Sequence, residues 1–107
     1  MYQKSLDSFK RAIELDPNYA SAYNGLGAAY SQGGNVEGAI FCWEKAVELK
    51  PDFTFPLYNL GLAYLTKGNK EKALAYFTQY KEENYRWLPA KEKKELDDLI
   101  QKCKEMP

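Results

Sequence analysis

The chain contains no histidine among its 107 residues. Histidine is the commonest general base in enzymes and the commonest nitrogen ligand of zinc, so its absence removes the simplest catalytic and metal-binding arrangements. The adjacent acidic pairs Glu82-Glu83 and Asp97-Asp98 do not replace it, because neighbouring residues of a helix point in different directions. The sequence therefore predicts no enzyme, no metal site and no cofactor.

Cysteine is nearly absent as well, since Cys42 and Cys103 are the only two. They lie far apart in the sequence, and each has helix-forming neighbours. Such a pair is not the disulfide framework of a small secreted protein. We expect two free, partly buried thiols.

An excess of charge and a long apolar run are also missing. Lysine and arginine together number 15, as do aspartate and glutamate, so no global field attracts nucleic acid or anionic lipid. No apolar run approaches the ~20 residues that span a bilayer, and residues 1–10 lack the apolar core of a signal peptide. We expect a soluble, cytoplasmic protein that binds neither nucleic acid nor membrane.

An internal repeat organises what is present. FKRAIELDPNY at 9–19 aligns with WEKAVELKPDF at 43–53, at an offset of 34 residues. The same offset places LGAAY at 26–30 on LGLAY at 60–64. A fixed period of this length is typical of stacked repeat proteins.

Each repeat has the spacing of two helices. Residues 23, 26, 27 and 30 follow the i, i+3, i+4, i+7 pattern, which begins again at Ala39 after a break at 33–35. Pro17 and Pro51 end the second helices, because proline cannot continue a helix. The pattern predicts six helices, near residues 2–16, 20–33, 36–49, 54–67, 70–83 and 90–105.

The residues at these periodic positions resemble the signature of the tetratricopeptide repeat (TPR) family. The matching residues are Tyr23, Leu26, Gly27, Tyr30, Ala39, Trp43, Ala46 and Pro51 in one repeat, and Leu60, Gly61, Tyr64, Ala73 and Phe77 in the next. The second repeat departs from the pattern at Tyr80 and Tyr85, which stand where the first has Ala46 and Pro51, so the geometry of its exit is open.

The resemblance implies an all-α fold, a right-handed α-solenoid of antiparallel helix pairs known as the TPR superhelix. Residues 1–107 would form a single domain, with 20–53 and 54–87 as full repeats and 1–19 as the second helix of a partial one. Residues 88–107 lose the signature but keep Leu96, Leu99, Ile100 and Cys103 in helical spacing after Pro89. We expect them to form a C-terminal capping helix.

The first predicted helix carries Leu6, Phe9 and Ile13 in helical spacing, but its partner helix would lie before Met1. We expect the chain to be part of a longer repeat protein. The alternative is that another molecule takes the place of the missing helix, including a second copy of the chain in a homo-oligomer.

TPR arrays generally bind peptides or helices of partner proteins on the concave surface formed by the first helix of each repeat, and they catalyse nothing themselves. The resemblance therefore implies a protein-protein interaction module, a scaffold or adaptor. The predicted groove residues are Asn24, Ala28, Ser31, Phe55, Tyr58, Asn59, Leu62 and Leu65. Two alternatives are a self-associating structural module and the non-catalytic regulatory part of a larger enzyme.

Periodicity alone points to the same helix. Leu57, Leu60, Gly61 and Tyr64 form one apolar stripe, and a second stripe consists of Phe55, Tyr58, Leu62 and Leu65. A helix that is apolar on all sides must be covered on both faces. We expect the second stripe to bind an apolar or amphipathic partner segment. The alternative is that a neighbouring repeat or a missing N-terminal element covers it.

Some TPR domains hold a C-terminal carboxylate with a clamp of basic and amide side chains. Asn24 and Ala28 stand where that clamp would have lysine and asparagine, so the resemblance does not extend to this ligand, although Asn59 fits.

Two glycines interrupt the helix at 20–33 and raise different expectations. Gly27 recurs as Gly61, so we expect both to allow a close approach of two helices. Gly25 corresponds to Asn59 instead, and we expect it to be a neutral variation or a local softening.

Overall fold

The computed structural model describes residues 2–107, with side chains from Lys4 onward. These residues form six α-helices and no β-strand. The helices are α1 Tyr2–Leu15, α2 Ala20–Gln32, α3 Val36–Leu49, α4 Phe55–Thr66, α5 Lys70–Asn84 and α6 Ala90–Glu105, with a short 3₁₀ helix at Tyr85–Trp87. Every predicted helix is present, and each begins and ends within one residue of the predicted bounds. None of the helices in the described part of the chain is long and apolar enough to cross a membrane.

The chain divides into two compact units. The first unit, Met1–Pro56, contains α1, α2 and α3. The second unit, Leu57–Pro107, contains nearly all of α4 together with α5 and α6. Each unit therefore holds one full helix pair of the repeat and one additional helix.

The turn inside each helix pair is made by a glycine and an asparagine. Gly34 and Gly68 have φ values of 84° and 79°, in the left-handed region that favours glycine. The side chain that follows caps the next helix: Asn35 Oδ1 accepts from the Gly38 amide at 2.9 Å, and Asn69 Oδ1 accepts from the Lys72 amide at 3.2 Å. The predicted break between the helices is thus a specific capped turn.

In the first unit, the α2–α3 pair closes around Trp43. A Cβ placed on Gly27 would lie 2.6 Å from Trp43 Nε1, so only glycine lets the indole ring approach. The same Nε1 donates a hydrogen bond of 3.2 Å to the carbonyl oxygen of Asn24. The predicted reason for Gly27 is confirmed.

Helix α1 contributes Leu6 to a cluster of buried residues that also contains Leu26 and Ala29 of α2 and Cys42 of α3. The half-buried ring of Phe9 fills the space that a side chain at Gly25 would need. The expectation that Gly25 has no packing role is therefore wrong. The contact comes from α1, which lies outside the repeat that contains Gly25, so comparison with Asn59 could not reveal it.

In the second unit, α4 and α5 repeat the same closure with a different ring. A Cβ on Gly61 would lie 2.6 Å from Cε1 of Phe77, and Phe77 is fully buried. Leu57 and Leu60 of α4 are fully buried as well. The close approach predicted for Gly61 is confirmed.

Helix α6 packs against α5. Leu96 and Cys103 are buried, while Leu99 and Ile100 are half-buried. A polar contact joins the two helices at one side, where Lys81 Nζ donates to Asp97 Oδ1 at 2.8 Å and the Tyr85 hydroxyl donates to Asp97 Oδ2 at 2.7 Å. The apolar stripe predicted for this segment is present; its role as the cap of an array stays a prediction.

The sequence left open how the chain leaves the second repeat, where Tyr85 stands in place of a proline. Helix α5 continues to Asn84, and the chain then forms the 3₁₀ helix before Leu88 becomes extended. Tyr85, which replaces the proline of the first repeat, is held by Asp97 of α6. Without the proline, α5 ends one residue later in its repeat than α3 does, and the connection that follows contains a 3₁₀ helix.

Both cysteines are free, as predicted, but they are buried and not only partly buried. Burial raises the pKa of the Cys42 thiol to about 11, although the nearby Lys10 acts in the opposite direction. At neutral pH this thiol is protonated and behaves as a small apolar side chain.

Candidate functional site

The exposed face of α2 belongs to the first unit and carries the predicted residues Asn24, Ala28 and Ser31. Ala28 and Ser31 are exposed, and Asn24 is half-buried. The side-chain oxygen of Asn24 is buried, and within the described part of the chain it has no hydrogen-bond partner. This face offers small and polar side chains, with little apolar surface for a partner.

The face of α4 in the second unit is different in character. Tyr58, Asn59 and Leu65 are half-buried, and Leu62 has 36% of its surface exposed. Phe55, the first residue of α4, falls in the first unit, where it is 70% exposed and meets the ring of Phe53 edge-on at 6.1 Å.

Part of the second stripe is covered by the chain itself. The ring of Tyr58 lies 5.7 Å from that of Phe77 and 5.3 Å from that of Tyr80, measured between centroids. Tyr80 is one of the two departures from the repeat pattern, and an alanine at that position could not make this contact. Tyr58 is thus partly covered by its own repeat, and not by the neighbouring repeat or N-terminal element of the alternative, while Leu62 remains accessible.

Two adjoining depressions lie between α4 and α6, both within the second unit. The first, which we call the Tyr58 pocket, has a volume of about 260 Å³ and is lined by Tyr58, Tyr80, Leu88, Glu92, Glu95 and Leu96. The second, which we call the α4–α6 groove, has a volume of about 380 Å³ and is lined by Tyr58, Leu62, Glu95, Asp98, Leu99 and Lys102. Tyr58 and Glu95 line both, so the two spaces are neighbours.

The electrostatics of these spaces centre on Tyr58. Burial raises the pKa of its hydroxyl above the usual value, and the charge of Glu95 and the neighbouring Tyr80 raise it further. The hydroxyl is therefore protonated at neutral pH and can donate a hydrogen bond to a ligand or to water.

Of the eight predicted groove residues, Tyr58 and Leu62 are the ones that line the α4–α6 groove. The contribution of α6 was not predicted. Leu99 was assigned to the stripe that packs on the last repeat, but it is half-buried and also lines the groove. The i, i+3, i+7, i+10 spacing of Glu92, Glu95, Leu99 and Lys102 was a signal that could have identified this face.

Family models match most of the chain. The TPR repeat model matches residues 1–34 and 29–68, and the tetratricopeptide repeat model matches residues 56–84.

Solved structures are similar to the chain over most of its length. One of them is the crystal structure of MamA, which has 36% sequence identity to this chain and a TM-score of 0.76. The match covers 79% of this chain and 50% of MamA. The chain thus spans about half the length of that relative.

Two more distant structures share the fold. The type III secretion chaperone SycD of Yersinia enterocolitica, solved with a peptide of the translocator YopD, has 18% identity and a TM-score of 0.87, with 96% of this chain and 79% of SycD covered. The TPR2B domain of yeast Sti1, solved in a pHsp70 complex, has 19% identity and a TM-score of 0.85, with coverages of 99% and 85%.

No curated protein matches the chain. The family models nevertheless cover well over half of it, and the predicted all-α fold of the TPR type is confirmed by them and by the solved structures. The chain belongs to the tetratricopeptide repeat family.

Proposed function

We propose that the chain is a protein-interaction module whose second unit binds a peptide or helix of a partner protein in the α4–α6 groove. The observation that carries this proposal is Leu62, an aliphatic side chain with 36% of its surface exposed beside Tyr58 and Leu99. The peptide bound to SycD and the pHsp70 complex of Sti1 support it by analogy, because both proteins have this fold.

The size and lining of the groove favour a protein segment over a metabolite. Its volume of about 380 Å³ is near the lower end of the ~300–1,000 Å³ of small-molecule sites. Such a space suits one or two side chains of a peptide, and an aliphatic or aromatic anchor would gain roughly 25 cal/mol for each Å² of apolar surface that it buries there.

The other predicted groove residues are proposed to make contacts outside the anchor site. Asn59 and Leu65, on the same helix as Leu62, are proposed to flank the anchor. Asn24, Ala28 and Ser31 of the first unit, and Phe55 at its end, are proposed as separate contacts that the binding of an anchor does not require.

The proposal can be tested by selecting short peptides from a displayed random library on the immobilised chain and measuring their affinities in solution. Leu62→Lys places a charge in the groove and should weaken the selected peptides by at least about tenfold, because a buried ammonium would lose its hydration. Leu15→Lys is the matched control, since Leu15 is 74% exposed and lies in the first unit.

We expect Leu15→Lys to bind like the unmodified chain. Circular dichroism would establish that both variants keep their helices. Peptides that bind both variants equally well, or a library that yields no binding peptide, would contradict the assignment of the groove.

A further inference from the structure

The residues of α6 that line the Tyr58 pocket and the α4–α6 groove are unevenly charged, although the net charge of the chain is zero. Glu92, Glu95, Leu99 and Lys102 recur at i, i+3, i+7 and i+10, so they share one face of the helix. Glu92 and Glu95 line the Tyr58 pocket, whereas Lys102 lines the α4–α6 groove beyond them. The site therefore has an acidic end next to Tyr58.

The two lysines between Glu92 and Glu95 in the sequence contact other groups. Lys93 Nζ lies 5.2 Å from the centre of the Tyr85 ring, and Lys94 Nζ pairs with Asp98 Oδ2 at 3.1 Å. Within the described part of the chain, neither Glu92 nor Glu95 forms an ion pair or a hydrogen bond. Two exposed carboxylates thus line the pocket with no cation of the chain bound to them.

The surface beside these carboxylates is aromatic and aliphatic. Tyr58 and Tyr80 lie with their centroids 5.3 Å apart, and Leu88 lines the same pocket. Carboxylates next to tyrosine rings suit a cation with an apolar stem, because the stem covers the rings while the charged group reaches the carboxylates. A ligand without positive charge would leave the two carboxylates uncompensated.

We propose, on the basis of the proposed function, that the partner segment is basic as well as apolar. An arginine or lysine side chain of the partner enters the Tyr58 pocket and pairs with Glu92 and Glu95. An adjacent aliphatic side chain lies in the α4–α6 groove against Leu62 and Leu99. Arginine suits the pocket better than lysine, since its planar group can stack on a tyrosine ring and donate hydrogen bonds to two carboxylates at once.

The same charges argue against an acidic ligand. A free C-terminal carboxylate placed in the Tyr58 pocket would approach Glu92 and Glu95, and like charges at short range repel each other. The partner segment is therefore internal to its chain or presents a basic residue at this point.

The test uses short peptides, acetylated and amidated, that share one leucine anchor and differ at the neighbouring position, which is arginine, lysine, glutamine or glutamate. We expect the arginine peptide to bind the unmodified chain at least about tenfold more tightly than the glutamate peptide, and raised salt to narrow this difference. The variant Glu92→Gln/Glu95→Gln should reduce the difference to about twofold, because it removes the charges that discriminate.

The matched control is Glu82→Gln/Glu83→Gln, which removes the same charge from two exposed residues of α5 outside the site. We expect this variant to retain the preference for arginine. An equal loss of preference in the control would mean that the overall charge, not the acidic wall, selects the peptide, and would overturn the inference.

Leu62→Lys separates the inference from the proposal on which it rests. If the peptides bind in a manner that Leu62→Lys abolishes but show no preference for a basic residue, the groove stands and the basic partner is wrong. If Leu62→Lys leaves binding unchanged, or if no peptide binds, the proposed function fails and the inference fails with it.

Discussion

The two units contain the same repeat but expose different side chains. At an offset of 34 residues, Gly27 and Trp43 of the first unit correspond to Gly61 and Phe77 of the second. In both units a large ring lies against a glycine. The buried positions thus follow one packing scheme, even though one of the two rings is an indole whose Nε1 also donates to Asn24.

The exposed positions of the same helices do not follow one scheme. Asn24, Ala28 and Ser31 of α2 correspond to Tyr58, Leu62 and Leu65 of α4, so each small or polar residue is replaced by a large apolar one. The closure of a ring on a glycine does not require this change, because it is the same in both units, although Tyr58 also packs against Phe77 and Tyr80. The difference supports the proposal that α4, and not α2, forms the binding surface.

The largest expected effect would break the shared packing scheme. Gly27→Leu and Gly61→Leu each introduce a side chain whose Cβ would lie only 2.6 Å from the facing ring. Trp43 and Phe77 are both buried, so neither ring can move away without displacing its neighbours in a closely packed core. We expect either substitution to abolish cooperative unfolding and much of the helical circular dichroism signal, because overpacking of a small core exceeds its marginal stability.

Ala28→Leu and Ala75→Leu are suitable controls, since both residues are exposed on helices of the same pairs. These variants should unfold like the unmodified chain. A Gly61→Leu protein that remained folded and cooperative would contradict the close packing of α4 and α5.

Much of this architecture could be predicted because the repeat supplies its own comparison. The helices, their turns and the closure at Gly27 and Gly61 follow from residues that recur at one period. Gly25 could not be explained in this way, since the ring that fills its space, Phe9, belongs to the additional helix α1.

Less of the candidate site could be predicted. Tyr58 and Leu62 follow from the periodicity of α4, because this helix has a second apolar stripe in addition to the one at the core positions of the repeat. The contribution of α6 depends on how a helix outside the repeat packs against α5, and the side of Leu99 that stays accessible is decided by that packing. A periodic pattern indicates which residues share a face but does not indicate what lies opposite.

The additional helices of the two units offer the next comparison. Leu96 anchors α6 with 1% of its surface exposed, and Leu6 anchors α1 with 7% exposed. We expect Leu96→Ala to reduce the free energy of unfolding by about 2–4 kcal/mol, and Leu6→Ala by about 2 kcal/mol, because a slightly exposed site loses less buried surface. Denaturant titration of the whole chain would measure both values.

Leu15→Ala is the control, since this leucine of α1 is 74% exposed and should cost less than about 0.5 kcal/mol. A Leu96→Ala variant as stable as the unmodified chain would mean that α6 contributes little to the second unit. It would also argue against a candidate site that is lined by residues of α6.

The smallest expected effect concerns the response of the two units to acid. Hydrogen bonds from Lys81 and then from the Tyr85 hydroxyl hold the pKa of Asp97 below its usual value of 3.8. A lowered carboxyl pKa stabilises the folded state above pH 3.8, and this contribution disappears as the pH falls from 3.8 through the lowered value. Asp97→Asn should therefore be less stable than the unmodified chain at neutral pH, with a difference that shrinks in acid.

The first unit provides the contrast, because its Arg11–Glu14 pair spans 3.5 Å between side chains that are 71% and 68% exposed. Glu14→Gln should change the stability by less than about 0.5 kcal/mol at any pH, since solvent screens exposed pairs. Urea titrations of the chain and both variants at a series of pH values would compare them. If the deficit of Asp97→Asn stayed constant as the pH fell, the lowered pKa could not be its cause, and the deficit would come from contacts of Asp97 that do not depend on its charge.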